Sequence, residues 1–330
     1  MKREFVPIPF CLSLMMAMLS VTNLSFAQSR GASTTKTTAE LLGYKPTDKI
    51  LIINNDDAGM CHSANRATIE GMEKGLISSA TIMAACPWVS EIAEYAKNNP
   101  DKGFGVHLTH TSEWKHYRWG TVACKEKVKG MLDKDGYMYR SLREVYENAT
   151  PEEALIEGRA QIQKLLDAGV PLTHIDSHMG TLQVNPEFFK SYVQLATEFN
   201  LAMRMPSREA MERRGSGNGK LRDDLVAQGF VFTDYFLHEE VTGPAYSQAN
   251  TKEFWTNVIK NLKPGITEVY VHATVLTDES RAITSSAQKR AEEYEVFTND
   301  PDIKKLIKDE GIIVISFRPL LELQRKQRNK

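Results

Sequence analysis

Apolar and polar positions fall into blocks of two lengths along this chain. From Lys49 onward, short apolar runs read as strands: "KILIINN" (49–55), "SSATIMA" (78–84), "GFGVHLT" (103–109), "THIDSH" (173–178), "AMRMP" (202–206), "FVFTDYF" (230–236), "EVYVHAT" (268–274) and "GIIVISF" (311–317). Between them lie longer stretches with apolar residues at helical spacing, among them "ANRATIEGMEKG", "WVSEIAEYAKNN", "PEEALIEGRAQIQKLLDAG" and "NPEFFKSYVQLATEFN". The third opens on Pro and closes on Gly, both good helix-boundary signals. Strands that mostly alternate with helices predict an α/β fold with a parallel sheet closed into a barrel, in one domain from residue 48 to 330. The structural rival, a doubly wound open sheet, lacks its Gly-rich phosphate loop after the first strand. In a barrel, chemistry gathers at the C-terminal strand ends.

The first 27 residues follow a different pattern. "MKR" is charged, an apolar run extends from Phe10 to Leu19, and "SFA" at Ser25–Ala27 fits a small-x-small cleavage site. This is the layout of a secretory signal peptide, and it predicts a secreted or periplasmic protein. The run is short for a bilayer span, and nothing later is long and apolar enough to cross one. Residues 28–47, small and polar, read as a flexible leader. The net charge of −1 gives no reason to expect nucleic acid or an anionic membrane as partner. With Cys11 in the signal, Cys61, Cys86 and Cys124 remain, an odd and widely spaced set that makes a poor disulfide framework.

The strand ends carry the chemistry. Asp56 and Asp57 close the first run, His107 lies near the end of the third, and His174, Asp176 and His178 alternate through the fourth. His272 lies near the end of the seventh run. Alternate residues of a strand share a face, so His174, Asp176 and His178 should point the same way. Two adjacent carboxylates repel and are costly to bury unless something cationic pairs with them. Imidazole and carboxylate together suit a divalent metal, zinc first, with magnesium, manganese, nickel or cobalt in the same set. One lone His at a strand end is usually an ordinary polar residue, and His62, His110, His116 and His238 are read that way.

"IINNDDAGMCHSANRATIEGMEKGLISSATIM", "GVHLT", "THIDSH" and "EVYVHA", in this order, resemble the YdjC-like carbohydrate deacetylases. The resemblance runs from about Lys49 to Leu321. It implies a deformed (β/α) TIM-like barrel, a divalent metal, and removal of an acetyl group from an N-acetylated sugar. By position it makes Asp57, His107 and His178 the metal ligands. Two places depart from the family pattern: "MGTLQ" follows His178 where a His-rich stretch is common, and Ala273 follows His272 where Pro is common.

With the metal on Asp57, Asp56 is free to serve as general base on water, and His272 is the candidate acid for the leaving amine. Asp176 is expected to orient a ligand histidine from behind, with His174 supporting or structural. The loop "TSEWKHYRWG" (111–120) offers rings and a planar donor for sugar, and Trp119 and Arg118 are the candidates, whereas Trp114 is expected to pack the loop. Arg204, near a strand end, is a further substrate-binding candidate, and Ser316 and Arg318 are weaker ones. The preferred reading is a metal-dependent hydrolase that deacetylates N-acetylated sugars of oligosaccharides or glycans. Its rivals are an amidase or esterase on a non-sugar substrate, and a carbohydrate-binding barrel without catalysis.

Overall fold

The computed structural model describes residues 36–214, 218–238, 246 and 250–329. The expected signal peptide 1–27, and the leader as far as Thr35, lie outside the described residues. The rest of that leader differs from expectation, because it is packed. Thr37 and Glu40 form a capping box that starts α1 (Thr38–Leu41), whose Ala39 is buried. Thr38 Oγ1 donates to the Phe232 carbonyl at 2.7 Å, so the fold begins before residue 48.

Eight strands follow: β1 (Lys49–Ala58), β2 (Ser79–Ile82), β3 (Gly103–Leu108), β4 (His174–Ser177), β5 (Ala202–Met203), β6 (Tyr235–Phe236), β7 (Gly265–Val271) and β8 (Ile313–Val314). Each falls on or beside one of the eight apolar runs. Every ladder is parallel, in the order β5-β4-β3-β2-β1-β7-β6, and β8 pairs with the start of β1. β5 and β6 are the two ends of this order, and no ladder joins them among the described residues. The sheet nevertheless curls: the guanidinium of Arg204, just past β5, sits 5.2 Å from the ring of Phe236 in β6. This is a deformed (β/α) barrel with a seam. Helices α2 (His62–Lys74), α3 (Val89–Asn98), α4 (Leu142–Asn148) and α5 (Pro151–Asp167) cover the outside, and α5 starts from its own Thr150–Glu153 capping box with Pro151 in the first turn.

The strand alternation sorts residues into two environments. Leu51 and Ile53 of β1, Phe104 and Val106 of β3, Ile175 of β4 and Val269 of β7 all join the large core beneath the helices. The opposite faces line the barrel. At its base, Ile50, Ile52, Ala202, Ile266 and Phe317 form a small apolar plug. Above the plug the inward residues turn polar. His174 stacks on Phe317, ring centroids 3.9 Å apart at 12°. Its Nε2 meets Asn54 Oδ1 at 3.0 Å. Burial pushes the His174 imidazole well below its usual range, with the Arg204 charge acting the same way. A neutral His on an apolar plug thus floors the polar cavity.

Gly105, inward on β3, makes room for that histidine. A Cβ there would lie 2.5 Å from the His174 carbonyl oxygen and 2.7 Å from its Nδ1. Gly105→Ala should therefore cost about 1–3 kcal/mol of stability. Urea unfolding should show a lower midpoint at unchanged slope; an unchanged midpoint means the floor yields.

Candidate functional site

In a regular strand Asp56 and Asp57 would face opposite ways. Here the register slips between Asn55, opposite Ala80, and Ala58, opposite Ile82, and Asp57 adopts φ +64°. This bulge turns the second carboxylate inward beside the first. The left-handed region suits Asp better than most residues, yet it still holds local strain at the site.

Asp57 Oδ1 lies 3.2 Å from His107 Nε2 and 3.2 Å from His178 Nδ1, and these two nitrogens are themselves 3.2 Å apart. All three residues are buried, and Asp57 Oδ1 accepts no hydrogen bond within the described residues. Each histidine gives its other nitrogen to a carboxylate. His107 Nδ1 lies 2.6 Å from Asp176 Oδ1, and His178 Nε2 lies 3.0 and 3.1 Å from the two oxygens of Glu113. Ring protons placed on those outer nitrogens leave two lone pairs aimed at the Asp57 oxygen. Donors bonded to a tetrahedral zinc at about 2.0–2.1 Å stand about 3.3 Å apart, so the triangle fits such an ion and keeps a side open.

The negative charge gathered here draws cations strongly. Burial pushes the His107 imidazole down, but Asp176 and Asp57 outweigh it and lift its pKa to about 10. Glu113 and Asp57 overcome the same burial at His178 and lift it to about 9. Asp57 itself, which burial would raise, is held well below the carboxylate range by Arg290 and the two histidines. The Arg290 Nη1–Asp57 Oδ2 contact is 2.7 Å.

A second group, Asp56, His107 and Asp176, also has ligand spacing. Its cationic place is filled by Arg204. The guanidinium donates to Asp56 Oδ2 at 2.7 Å and Oδ1 at 2.8 Å, and Nε donates to Glu268 at 2.6 Å. Nη1 also lies 2.9 Å from Asp176. Burial would raise the Asp56 carboxyl, and Arg204 instead brings it to about 2. Asp56 is thus ionised across the neutral range.

This overturns the expected substrate role of Arg204, whose donors are spent on buried carboxylates. Arg118 also differs from expectation: it braces its own loop, donating to Asp133 at 3.0 Å and to the Met138 carbonyl at 2.7 Å. Trp119 is buried with Met60, Cys61 and Met138, so it packs the loop instead of offering a stacking face. Trp114 packs on the same cluster, as expected. Trp114 is only partly buried, 6.1 Å from the His178 ring and 5.9 Å from the Arg290 guanidinium. The half-buried His272 ring makes no hydrogen bond within the described residues, and its backbone N–H donates to Glu293 at 2.8 Å. Burial and Arg290 push the His272 imidazole down to about 4. Cys61, Cys86 and Cys124 are all unpaired.

Glu113, Arg290 and Glu268 were not read from the sequence. Glu268 carried a signal, a charge inside an apolar run, and Glu113 adjoins the singled-out Trp114. Arg290 carried none. The loop holding Glu113 is anchored by α5: Glu157 accepts the N–H groups of Val122 and Ala123 at 2.9 and 2.8 Å, and Gln161 bonds both backbone groups of Thr109.

The family model described as YdjC-like protein matches residues 50–309. A carbohydrate deacetylase of Thermoanaerobacter pseudethanolicus is 26% identical over 269 residues, which is 82% of this chain and 98% of that protein. The carbohydrate deacetylase of Brevibacillus brevis is 27% identical over 271 residues, 82% of this chain and 99% of the relative. A crystal structure from Enterococcus faecalis, described as a cellobiose-phosphate cleavage protein, superposes with a TM-score of 0.71 at 25% identity. It covers 83% of this chain and 99% of its own.

Two stability measurements test the electrostatics. Arg204→Met leaves its carboxylates buried without a partner and should cost about 3–5 kcal/mol in chemical denaturation. At Glu157, burial lifts the carboxyl to about 7, so the folded state holds its proton more tightly than the unfolded chain does. Its contribution is full below about pH 4.5 and is lost as pH rises through about 7. Glu157→Gln should flatten the stability profile across that window; an unaltered profile means the carboxyl stays ionised throughout.

Proposed function

The chain belongs to the YdjC-like protein family, and on that footing we propose that it is a metal-dependent deacetylase of N-acetylated sugars in oligosaccharides or glycans. The observation that carries this reading is the buried triangle of Asp57 Oδ1, His107 Nε2 and His178 Nδ1, each edge 3.2 Å, with an Asp57 oxygen that accepts no hydrogen bond within the described residues. Similarity to proteins named carbohydrate deacetylase supports a sugar substrate and acetyl removal. The charged start, apolar run and Ser25–Ala27 cleavage pattern support export to the periplasm or beyond.

A divalent cation held by Asp57, His107 and His178, zinc first, supplies a Lewis acid for the acetyl carbonyl and acidifies water at the site. The chain's own residues do the rest. Asp176 and Glu113 fix the two ligand rings through their outer nitrogens. Asp56, kept ionised by Arg204, takes a proton as the water oxygen bonds to the acetyl carbon. The C–N bond then breaks, acetate leaves, and the amine nitrogen needs that proton back. His272 is the donor in this scheme. Because burial and Arg290 keep it neutral, it must first receive that proton from Asp56, and it hands it to the amine nitrogen as the C–N bond breaks. Trp114, beside His178 and Arg290, walls the pocket and keeps bulk water out.

Acetate release from a panel of N-acetylated sugars, after stripping the protein and reloading it with zinc, nickel, cobalt, manganese or magnesium, tests the reading. Release should return only with metal. His178→Ala should lose both metal and turnover. Asp56→Asn should keep its metal while turnover falls by about 10²–10⁴-fold. An Asp56→Asn protein that stays active removes the base assignment.

A further inference from the structure

The loop after β2 ends in Trp88, immediately before α3. The Trp88 backbone serves the fold, since its carbonyl accepts from Asn65 Nδ2 at 3.0 Å. The residue is 41% exposed, a large hydrophobic side chain at the surface. It lies against His62, ring centroids 5.1 Å apart at 38°, and the His62 side chain is itself 46% exposed. Glu91 fixes that imidazole, with Oε1 at 2.8 Å from His62 Nδ1, and its other oxygen takes Asn65 Nδ2 at 2.7 Å.

This pair is keyed to the catalytic turn. Asn65 Oδ1 accepts the N–H of Gly59, two residues past Asp57, at 2.7 Å. Gly59 has φ +86°, and a Cβ there would stand 3.5 Å from the Cα of Val89, the neighbour of Trp88. Cys61 and Cys86, which flank the pair in sequence, share one cluster with Trp119, and Trp114 and Tyr117 pack on that cluster. His62 opens α2 directly after β1 and Trp88 precedes α3 after β2, so both stand at the C-terminal strand ends, the side on which Asp57 lies.

We propose that the His62–Trp88 pair is an outer sugar-binding platform for a glycan chain whose acetylated unit sits at the Asp57–His107–His178 centre. A pyranose offers an apolar C–H face to a flat ring and hydroxyls at its edge, and Trp88 with His62 and Glu91 presents that combination. One exposed ring bordered by polar groups suits a sugar better than a protein surface, which needs a broad apolar patch. The proposal rests on the deacetylase reading for its ligand class. It adds that the preferred substrate spans several sugar units.

The test compares N-acetylglucosamine oligomers of one to five units, by acetate release and by titration calorimetry on the metal-loaded protein. The intact enzyme should favour the longer oligomers. Trp88→Ala should lower kcat/KM and affinity for tetramer and pentamer about tenfold while leaving the dimer unchanged, and Trp88→Phe should recover most of the loss. Equal losses on short and long oligomers, or none on either, would overturn the platform. If no acetate is released from any oligomer, the deacetylase reading fails by itself. Chain-length-dependent binding that Trp88→Ala abolishes would then still establish the platform, and binding indifferent to length would end it.

Discussion

One guanidinium organises the interior of this barrel. Arg204 follows β5 and reaches across to Asp56 at the end of β1, Asp176 in β4 and Glu268 in β7. The rings of Phe236 and Tyr270, stacked on one another, lie against it at 5.2 and 4.9 Å. Three buried carboxylates converging on one point would not persist without it, and a cation so deep would not persist without them. Because its partners stand on separate strands, the ion cluster also fixes how those strand ends sit relative to one another. The bulged end of β1 and the turn that follows β4 then bring Asp57 and His178 to His107.

Charge signs alternate outward from that point. Glu268 and Asp56 flank Arg204, Asp176 joins it to His107, Asp57 joins His107 to His178, and Glu113 closes the row, with Arg290 on the far oxygen of Asp57. Each member faces the opposite sign, so burial is offset at every step. The same logic separates two acidic neighbours into two environments. Asp56 is saturated by a fixed organic cation, whereas Asp57 retains an oxygen for an exchangeable inorganic one.

Much of this was legible from the chain. The eight strands, the strand-end position of Asp56, Asp57, His107, His178 and His272, and the barrel class all follow from periodicity and placement. Strand alternation put Asp176 on the ligand face, where it meets His107. What stayed hidden depends on partners distant in sequence. Nothing beside Arg204 announces that Asp56 lies across the barrel from it, 148 positions away. The burial of Trp119 is a matter of a loop's path, which apolar character alone does not determine. The Asp57 bulge is equally silent, since Asp-Asp reads as ordinary alternation until a positive φ breaks it. Only the Thr37–Glu40 capping box was readable and passed over, because the surrounding segment is polar.

The seam between β5 and β6 gives the ring an asymmetry of stiffness. Asp57, His107 and His178 sit at the ends of β1, β3 and β4, along an arc laced by continuous backbone ladders. On the opposite side, no ladder joins β5 to β6 among the described residues, and each of these strands is two residues long. A hoop cut at one point changes its girth by spreading at the cut, with little bending elsewhere. Crowding at the mouth would thus be absorbed far from that arc, and bulky ligands could be admitted without parting Asp57, His107 and His178.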